Sequence, residues 1–250
     1  SAMSNCDEIL SKGHYRVRYA NGPGDFAAAL ALRSLCFGTE QLDLDPFDQN
    51  CSHLLVEDVR TNELVCSFRI LRICDGSRIS QSYSAQFYEL SALSNFSGQL
   101  IELGRFCIAP ETNDPDILRL AWGALAQLVD EFDVQMLFGC SSFLGTDVER
   151  YLDVLKLLKD RHLAPESWRP QVKMTSVFRY AEDLQGKPDI KKALSQMPPL
   201  LRSYLMMGGW VSDHVVVDND MNTLHVFTGV EVNAIPETRK RLLRAVASGN

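Results

Sequence analysis

The fold of this chain is decided by the stretch Ile101-Glu102-Leu103-Gly104-Arg105-Phe106-Cys107-Ile108-Ala109-Pro110. Apolar residues fill most of its positions, as in a buried β-strand, yet it also carries a carboxylate at Glu102 and a guanidinium at Arg105. An unpaired buried charge is costly, so both side chains are expected to have a partner or a chemical task. Gly104 weakens a strand unless the backbone bulges or another group approaches closely, and a bulge would turn N–H groups toward a ligand.

Length and composition predict one globular domain over residues 1–250, because 250 residues lie near the upper limit for a single hydrophobic core. Ser1 and Ala2, which precede Met3, are interpreted as a remnant of an expression vector. A hydrophobic fraction of 46% is ordinary for a globular protein and allows such a core. The formal net charge of −7 argues against binding to nucleic acid, and an acidic partner would need a local basic patch.

The cysteines and the longest apolar run indicate the compartment. Seven cysteines are an odd number, none form a Cys-x-x-Cys pair and no signal peptide precedes them, which favours reduced thiols in the cytoplasm. The longest uncharged run, from Ala121 to Val129, is too short to span a bilayer. Any membrane association is therefore expected to be peripheral, at the inner membrane.

Alternating strand and helix patterns predict a mixed α/β sheet flanked by helices. The predicted strands cover residues 15–19, 53–59, 64–73, 136–138, 215–217 and 224–232. The predicted helices cover 26–37 after an Asp25 cap, a segment that starts at Asp114-Pro115, a segment from a capping box at Thr146 and Glu149 to Lys159, residues 200–207, and a basic segment beyond Pro236.

A series of charged and aromatic residues leads up to the opening strand and continues into it: Arg33, Phe37, Asp45-Pro46-Phe47-Asp48, Arg69, Glu102 and Arg105. This series resembles the homoserine-lactone synthases, which have the GCN5-related N-acyltransferase (GNAT) fold. Further segments are Leu103-Gly104-Arg105, Phe138-Gly139-Cys140-Ser141-Ser142-Phe143, Pro198-Pro199-Leu200-Leu201-Arg202-Ser203-Tyr204-Leu205 and Asp218-Asn219-Asp220-Met221-Asn222-Thr223. They make the chain more similar to the ornithine-lipid N-acyltransferases, over most of its length.

Two positions depart from that family. Phe106 stands where many members have Ser, and residues 109–113 lack the Pro-x-Tyr-Arg that members often carry. Both departures bear on the preference for donor and acceptor.

The resemblance implies an enzyme that moves a 3-hydroxyacyl chain from acyl carrier protein to the α-amine of L-ornithine, forming lyso-ornithine lipid. It implies no bound cofactor, since the phosphopantetheine of the carrier protein is the donor arm. Three alternatives stay open: glutamine or another amino acid as acceptor, a homoserine-lactone synthase that uses S-adenosylmethionine, and a non-catalytic module that binds carrier protein or lipid. The segment 198–223 disfavours the synthase, and the intact Glu102 disfavours the non-catalytic module.

The loop of residues 110–116 supports a carrier protein independently of the resemblance. Coenzyme A enzymes of this fold bind pyrophosphate on a glycine-rich loop that opens a helix. Here the loop has no glycine, two prolines and three acidic residues. An acidic carrier protein needs a basic landing patch. The candidates for this patch are Arg150, Lys156, Lys159 and Arg161, with Arg169 and Lys173 after them, although a solvated helix face explains them equally well.

An amine that attacks a thioester must lose a proton, and the oxyanion that forms needs a donor. Glu102 is the predicted base or water-positioning residue, and backbone N–H groups of Gly104, Arg105 and Phe106 are the predicted oxyanion donors. The alternative is that Glu102 and Arg105 only form ion pairs with Arg69 and Asp45 or Asp48. The predicted substrate-binding residues are Arg33, Asp45, Asp48, Arg69, Ser141 and Ser142. The aspartates would hold a side-chain ammonium, and for the nearby Asp43 turn capping explains the residue equally well.

Two other kinds of site are disfavoured. Gly139-Cys140-Ser141-Ser142-Phe143 lacks the second glycine of a nucleophile elbow, which favours direct transfer without an acyl-enzyme. The five histidines are scattered without ligand spacing, so no metal site is predicted.

Overall fold

The computed structural model describes residues 7–39 and 43–247. In chain order the elements are β1 (Glu8–Lys12), β2 (Tyr15–Tyr19), α1 (Gly22–Phe37), β3 (Ser52–Asp58), β4 (Glu63–Ile73), β5 (Tyr88–Glu89), β6 (Gln99–Ile108), α2 (Pro115–Glu131), β7 (Val134–Leu144), α3 (Leu152–Arg161), β8 (Gln171–Val172), β9 (Val177–Phe178), α4 (Tyr180–Asp183), α5 (Ile190–Gln196), α6 (Pro199–Met206), β10 (Trp210–Val211), β11 (Val215–Asp218), β12 (Thr223–Glu231) and α7 (Glu237–Ala247). Short 3₁₀ turns lie between several of them, including Ser84–Gln86.

These elements form two compact units. The first unit contains the residues up to 72, residues 103–134 and those from 237 onward, and the second contains residues 73–102 and 135–236. The strand β6 passes from the second unit to the first between residues 102 and 103.

The first unit is built on the antiparallel ladder β1-β2-β3-β4, with β6 next to β4 in the strand order. The helix α2 begins where predicted, because Asp114 accepts a hydrogen bond from the N–H of Asp116 at 2.9 Å. The helix α7 packs on α2. A Cβ atom at Gly123 would lie 2.7 Å from Cγ1 of Val246, so glycine is what allows this close helix contact.

The second unit contains the strand order β7-β12-β11-β9, with antiparallel pairing throughout and β10 paired to β12. One face of these strands carries a buried apolar cluster, to which α3, α5 and α6 also contribute. Its members include Phe143, Leu155, Leu158, Leu201, Leu224 and Val226. The alternation of side chains along β12 therefore directs Leu224 and Val226 into this cluster and His225 to the opposite face.

The predicted mixed α/β fold is confirmed, since both units combine sheet and helices. Two predictions of helix starts were wrong. The first helix starts at Gly22 after Asn21, so Asp25 lies in its first turn and not at the N-cap, and it accepts hydrogen bonds from Arg18 and from the N–H of Asn21. The capping residue in this segment is Asp147, not Thr146: it accepts from the N–H of Glu149 at 3.0 Å and caps the 3₁₀ turn Val148–Tyr151 that leads into α3.

Several further elements differ from expectation. The strands β1, β5, β8, β9 and β10 and the helices α4 and α5 were not predicted, and β7 spans Val134–Leu144 where only residues 136–138 were predicted. Across the described ranges, no helix combines the length and apolar character needed to cross a membrane.

Candidate functional site

An arginine–aspartate cluster in the first unit gathers the charged residues that the sequence singled out. Its members are Arg33 on α1, Arg69 on β4, Arg105 on β6, and the loop residues Asp43, Asp45 and Asp48. Arg33 donates to Asp48 at 2.7 Å and also to the main-chain oxygen of Asp43. Arg69 donates to Asp45 at 2.6 Å and to Asp48 at 2.8 Å. The cluster therefore ties the loop to a helix and two strands.

Arg105 completes the arginine–aspartate cluster. Its Nε donates to Asp43 at 2.6 Å and its guanidinium also reaches Asp45 at 3.2 Å. Asp43 is thus an ion-pair partner of Arg105 and Arg33, a role that turn capping does not describe. The three arginines balance the three aspartates, which is the condition under which such charges can be buried.

Asp48 is the most deeply held carboxylate of the arginine–aspartate cluster, with a side chain only 2% exposed. Burial by itself raises its pKa, but hydrogen bonds from Arg33 and from the N–H of Asp45 outweigh burial and lower the pKa to about 2. Burial lowers the pKa of Arg69, whereas its hydrogen bond to Asp45 raises it, and the net pKa lies above the usual value. Asp48 and Arg69 are therefore both charged at neutral pH.

Gly104 lies where the side chain of Arg69 comes close to the backbone of β6. A Cβ atom there would lie 3.3 Å from Nε of Arg69, tighter than ordinary contact. The backbone irregularity lies one residue later, at Arg105, whose φ of 47° is in the left-handed region. The ring of Phe106 stacks on Phe68 with centroids 5.4 Å apart. The bulge and the oxyanion role of the N–H groups stay predictions.

Glu102, in the second unit, is buried and held by the start of the 3₁₀ turn Ser84–Gln86. One carboxylate oxygen accepts from the N–H of Tyr83 at 2.8 Å, and the other accepts from the N–H and the hydroxyl of Ser84 at 2.8 and 2.6 Å. Three donors around one carboxylate stabilise its ionised form. Neither Tyr83 nor Ser84 belongs to a recognisable motif, and sequence reasoning did not find them.

The Cys140-Ser141-Ser142 segment lies on β7, where alternation sends its side chains to opposite faces. Ser141 is buried and accepts a hydrogen bond from Thr228 at 3.0 Å, whereas Ser142 is exposed and lines a cleft of about 390 Å³. Cys140 is half-buried, and its Sγ lies 3.4 Å from Oγ of Ser84. The two predicted substrate-binding serines therefore do not share a surface.

A buried histidine on the opposite face of β12 was also missed. Tyr88 donates to the main-chain oxygen of His225, and its oxygen lies 2.9 Å from Nδ1 of the same residue. Burial, with a smaller effect from His214, lowers the pKa of His225 to about 4. This ring is neutral at physiological pH, and no spacing in the sequence distinguishes it from a core histidine.

An open cleft of about 900 Å³ lies beside the arginine–aspartate cluster in the first unit. Its lining includes Tyr19, Phe26, Asp45, Asp48 and His53. His53 donates through Nε2 to the main-chain oxygen of Asp48 at 2.9 Å, and burial lowers its pKa. The side chain of Asp45 is 16% exposed, against 2% for Asp48, so Asp45 is the more accessible of the two carboxylates, although both of its oxygens accept hydrogen bonds from Arg69 at 2.6 and 2.9 Å.

The N-terminus of α2 already holds a carboxylate. Asp114 caps the helix through one oxygen and accepts a hydrogen bond from Tyr15 at 2.7 Å through the other. The hydrogen bond from Tyr15 lowers the pKa of Asp114, and the same contact raises the pKa of Tyr15 to about 12. This carboxylate occupies the place where a helix N-terminus would bind a phosphate.

The predicted basic patch consists of side chains in different settings. Arg150 and Arg161 are exposed, and Lys156 is half-buried. Lys159 donates to the main-chain oxygen of Leu184 at 2.5 Å and so holds α3 to the following segment. Arg150 and Arg161 are the most exposed of the four residues on this helix and the turn before it; Lys173 is exposed as well and donates to the main-chain oxygen of Ala85 at 2.7 Å.

A family model and several known proteins are similar to this chain over a part that contains the arginine–aspartate cluster and Glu102. The family model of the acetyltransferase (GNAT) domain matches residues 30–123. The L-ornithine Nα-acyltransferase of Rhodobacter capsulatus is 31% identical over 245 residues, which cover 90% of this chain and 93% of that protein. This chain belongs to the L-ornithine Nα-acyltransferase family.

Other members of the L-ornithine Nα-acyltransferase family are similar over comparable lengths. The Brucella abortus protein is 31% identical, covering 93% of this chain and 90% of its own. The Rhizobium meliloti protein is 28% identical, covering 91% and 84%. The resemblance predicted from the motifs is confirmed. The matched GNAT range contains the arginine–aspartate cluster and Glu102, while Ser141 and the basic patch lie beyond it.

Proposed function

We propose that this protein transfers an acyl chain from acyl carrier protein to the α-amine of L-ornithine, giving lyso-ornithine lipid. The observation that carries the proposal is the similarity to L-ornithine Nα-acyltransferases over about nine-tenths of the chain. A 3-hydroxyacyl chain is the donor group that the resemblance favours.

The cleft of the first unit is the proposed ornithine site. Ornithine carries a side-chain ammonium, and a carboxylate that lines an open cleft attracts it. Asp45 has the more exposed side chain of the two cleft aspartates, so it is assigned to the ammonium. Asp48, Arg33 and Arg69 then act by holding Asp45 and its loop in place.

We assign acyl carrier protein as the donor, and not coenzyme A, because the N-terminus of α2 is a poor site for the pyrophosphate of coenzyme A. Asp114 already caps the helix, and the preceding loop carries further acidic charge. A phosphopantetheine arm delivered by a carrier protein does not need this helix end. Arg150, Lys156 and Arg161 are the proposed carrier contacts, since exposed cations attract an acidic partner.

Glu102 is the proposed base. The α-amine attacks the thioester carbonyl, the N–C bond forms and the C–S bond breaks. The amine proton passes to the Glu102 carboxylate, which returns it to the phosphopantetheine sulfur as that sulfur leaves. The oxyanion of the intermediate is assigned to the N–H groups of Gly104, Arg105 and Phe106 on the irregular part of β6.

The test combines purified protein, a 3-hydroxyacyl carrier protein and either ornithine or glutamine, with mass spectrometry of the product. We expect an N-acyl ornithine, and Glu102→Gln should lower turnover about 10²-fold or more. Both Glu102 oxygens accept from main-chain N–H groups, so the Gln amide must face a donor and the variant should also be less stable. Turnover is therefore compared on protein shown to be folded by circular dichroism.

Three outcomes contradict parts of the proposal. A preference for glutamine would move the acceptor to a different amino acid, and the absence of any acyl product would favour a binding module. A lactone formed from S-adenosylmethionine would favour a homoserine-lactone synthase.

A further inference from the structure

The hydrogen bonds around Ser84 have a defined direction. An ionised carboxylate only accepts hydrogen bonds, and a serine hydroxyl has one proton to donate. The Ser84 hydroxyl therefore donates to Glu102, 2.6 Å away. The thiol of Cys140, 3.4 Å from the same hydroxyl oxygen, must then be the donor in its contact with Ser84. The three side chains therefore form a hydrogen-bond relay, in which Cys140 donates to Ser84 and Ser84 donates to Glu102.

Burial strengthens the hydrogen bonds of this relay. Ser84 is fully buried and Glu102 is 5% exposed, so water has little access to replace a lost hydrogen bond. Hydrogen bonds strengthen in such surroundings, and each polarises the next. Cys140 is only half-buried and is the more exposed end of the hydrogen-bond relay.

We propose that Ser84, oriented by the thiol of Cys140, is a positioning residue for Glu102: it fixes the direction of the carboxylate and keeps it ionised. The inference deepens the proposed function and rests on Glu102 being its base. It also gives a role to Cys140, which the sequence disfavoured as a nucleophile.

Few other titratable groups of the second unit face the hydrogen-bond relay. Tyr204 on α6 and Tyr88 on β5 are buried, and their pKa values are raised by burial first, so both are neutral below pH 9. His225, in contact with Tyr88, has its pKa lowered to about 4. Along the strand, Arg105 is the next charged residue after Glu102.

The experiment measures kcat and KM for ornithine from pH 4 to 9 with the carrier-protein donor, so that the acidic limb of a carboxylate falls within the range. Removing a hydrogen bond to a carboxylate raises its pKa, so Ser84→Ala should move the acidic limb of the kcat profile up by about one pH unit. Ser84→Thr retains a hydroxyl and should restore the wild-type limb. The KM for ornithine should change less than twofold, because Ser84 acts through the base.

Cys140 provides a second and independent test. Cys140→Ala should move the limb in the same direction by a smaller amount, and Cys140→Ser, which can still donate, should not. Cys74→Ala, at an exposed thiol of the same unit, is the matched control and should match the wild type. If Ser84→Ala does not fold, the comparison of the two Cys140 variants decides the question.

Two results separate this inference from the function on which it rests. Superimposable profiles for wild type, Ser84→Ala and Cys140→Ala, with Glu102→Gln inactive, would overturn the inference and leave the base in place. Full activity in folded Glu102→Gln would instead remove the base, and the inference with it.

Discussion

Replacing Asp48 with asparagine removes one negative charge from between Arg33 and Arg69 while nearly preserving shape. Asp48 accepts hydrogen bonds from both arginines, and its side chain is 2% exposed. Breaking a buried ion pair from one side typically costs about 3–5 kcal/mol, because the remaining charges lose their partner. We therefore expect Asp48→Asn to lose about that much unfolding free energy at pH 7.

The pH dependence of this loss identifies its cause. The folded pKa of Asp48 is about 2, against 3.8 for the free side chain. A depressed carboxylate pKa stabilises the fold fully above the unfolded pKa, and the effect is lost as pH falls toward the folded pKa. The difference is worth about 2 kcal/mol, of which about 1 kcal/mol disappears between pH 7 and pH 3. Acidification should remove this part of the unfolding free energy from the wild-type protein but not from Asp48→Asn, which has no carboxylate at this position.

Urea unfolding followed by circular dichroism at pH 7, 5, 4 and 3 measures both quantities. Asp116→Asn is the matched control, since Asp116 pairs with Arg119 in a contact where both side chains are 60% exposed, and it should stay close to wild type. A gap between wild type and Asp48→Asn that does not narrow on acidification would refute the ion-pair argument. Wild-type stability combined with a raised KM for ornithine would refute it too, by making Asp48 a substrate contact.

Three further expectations concern the acceptor, the donor and the helix contact. Asp45→Asn should raise the KM for ornithine more than it lowers kcat, with a smaller effect on glutamine, and equal effects on both acceptors would limit Asp45 to holding the loop. Acyl-coenzyme A should be a much poorer donor than acyl carrier protein. Charge reversal of Arg150 and Arg161 should lower kcat/KM for the carrier protein and its salt dependence while sparing an acyl-pantetheine; comparable efficiencies of the two donors would contradict the assignment. Gly123→Ala should cost about 1–3 kcal/mol in thermal or urea unfolding, because the new Cβ meets Val246 at 2.7 Å, and an unchanged midpoint would mean that α7 shifts freely.

Local chemistry explains which predictions were confirmed. Proline and capping residues act over a few neighbouring residues, so the starts of α2 and α6 were predictable from Asp114-Pro115 and Pro198-Pro199. The β11–β12 hairpin follows from two apolar runs around a polar turn. The start of α1 was predicted four residues late, because the role of Asp25 depends on Arg18, which lies on a different element.

The sequence by itself determined the composition of the site: charged residues of both signs within apolar strands, a glycine beside Arg105, and a motif order that leads to the L-ornithine Nα-acyltransferase family. These features are local or can be compared along the chain. Only the tertiary structure decided which charges meet. Asp43 pairs with a residue 62 positions away, and Glu102 is held by Ser84, 18 positions away on a turn without any motif. Such contacts depend on strand register and on burial, which make an unpaired charge costly and so select a partner that spacing alone does not reveal.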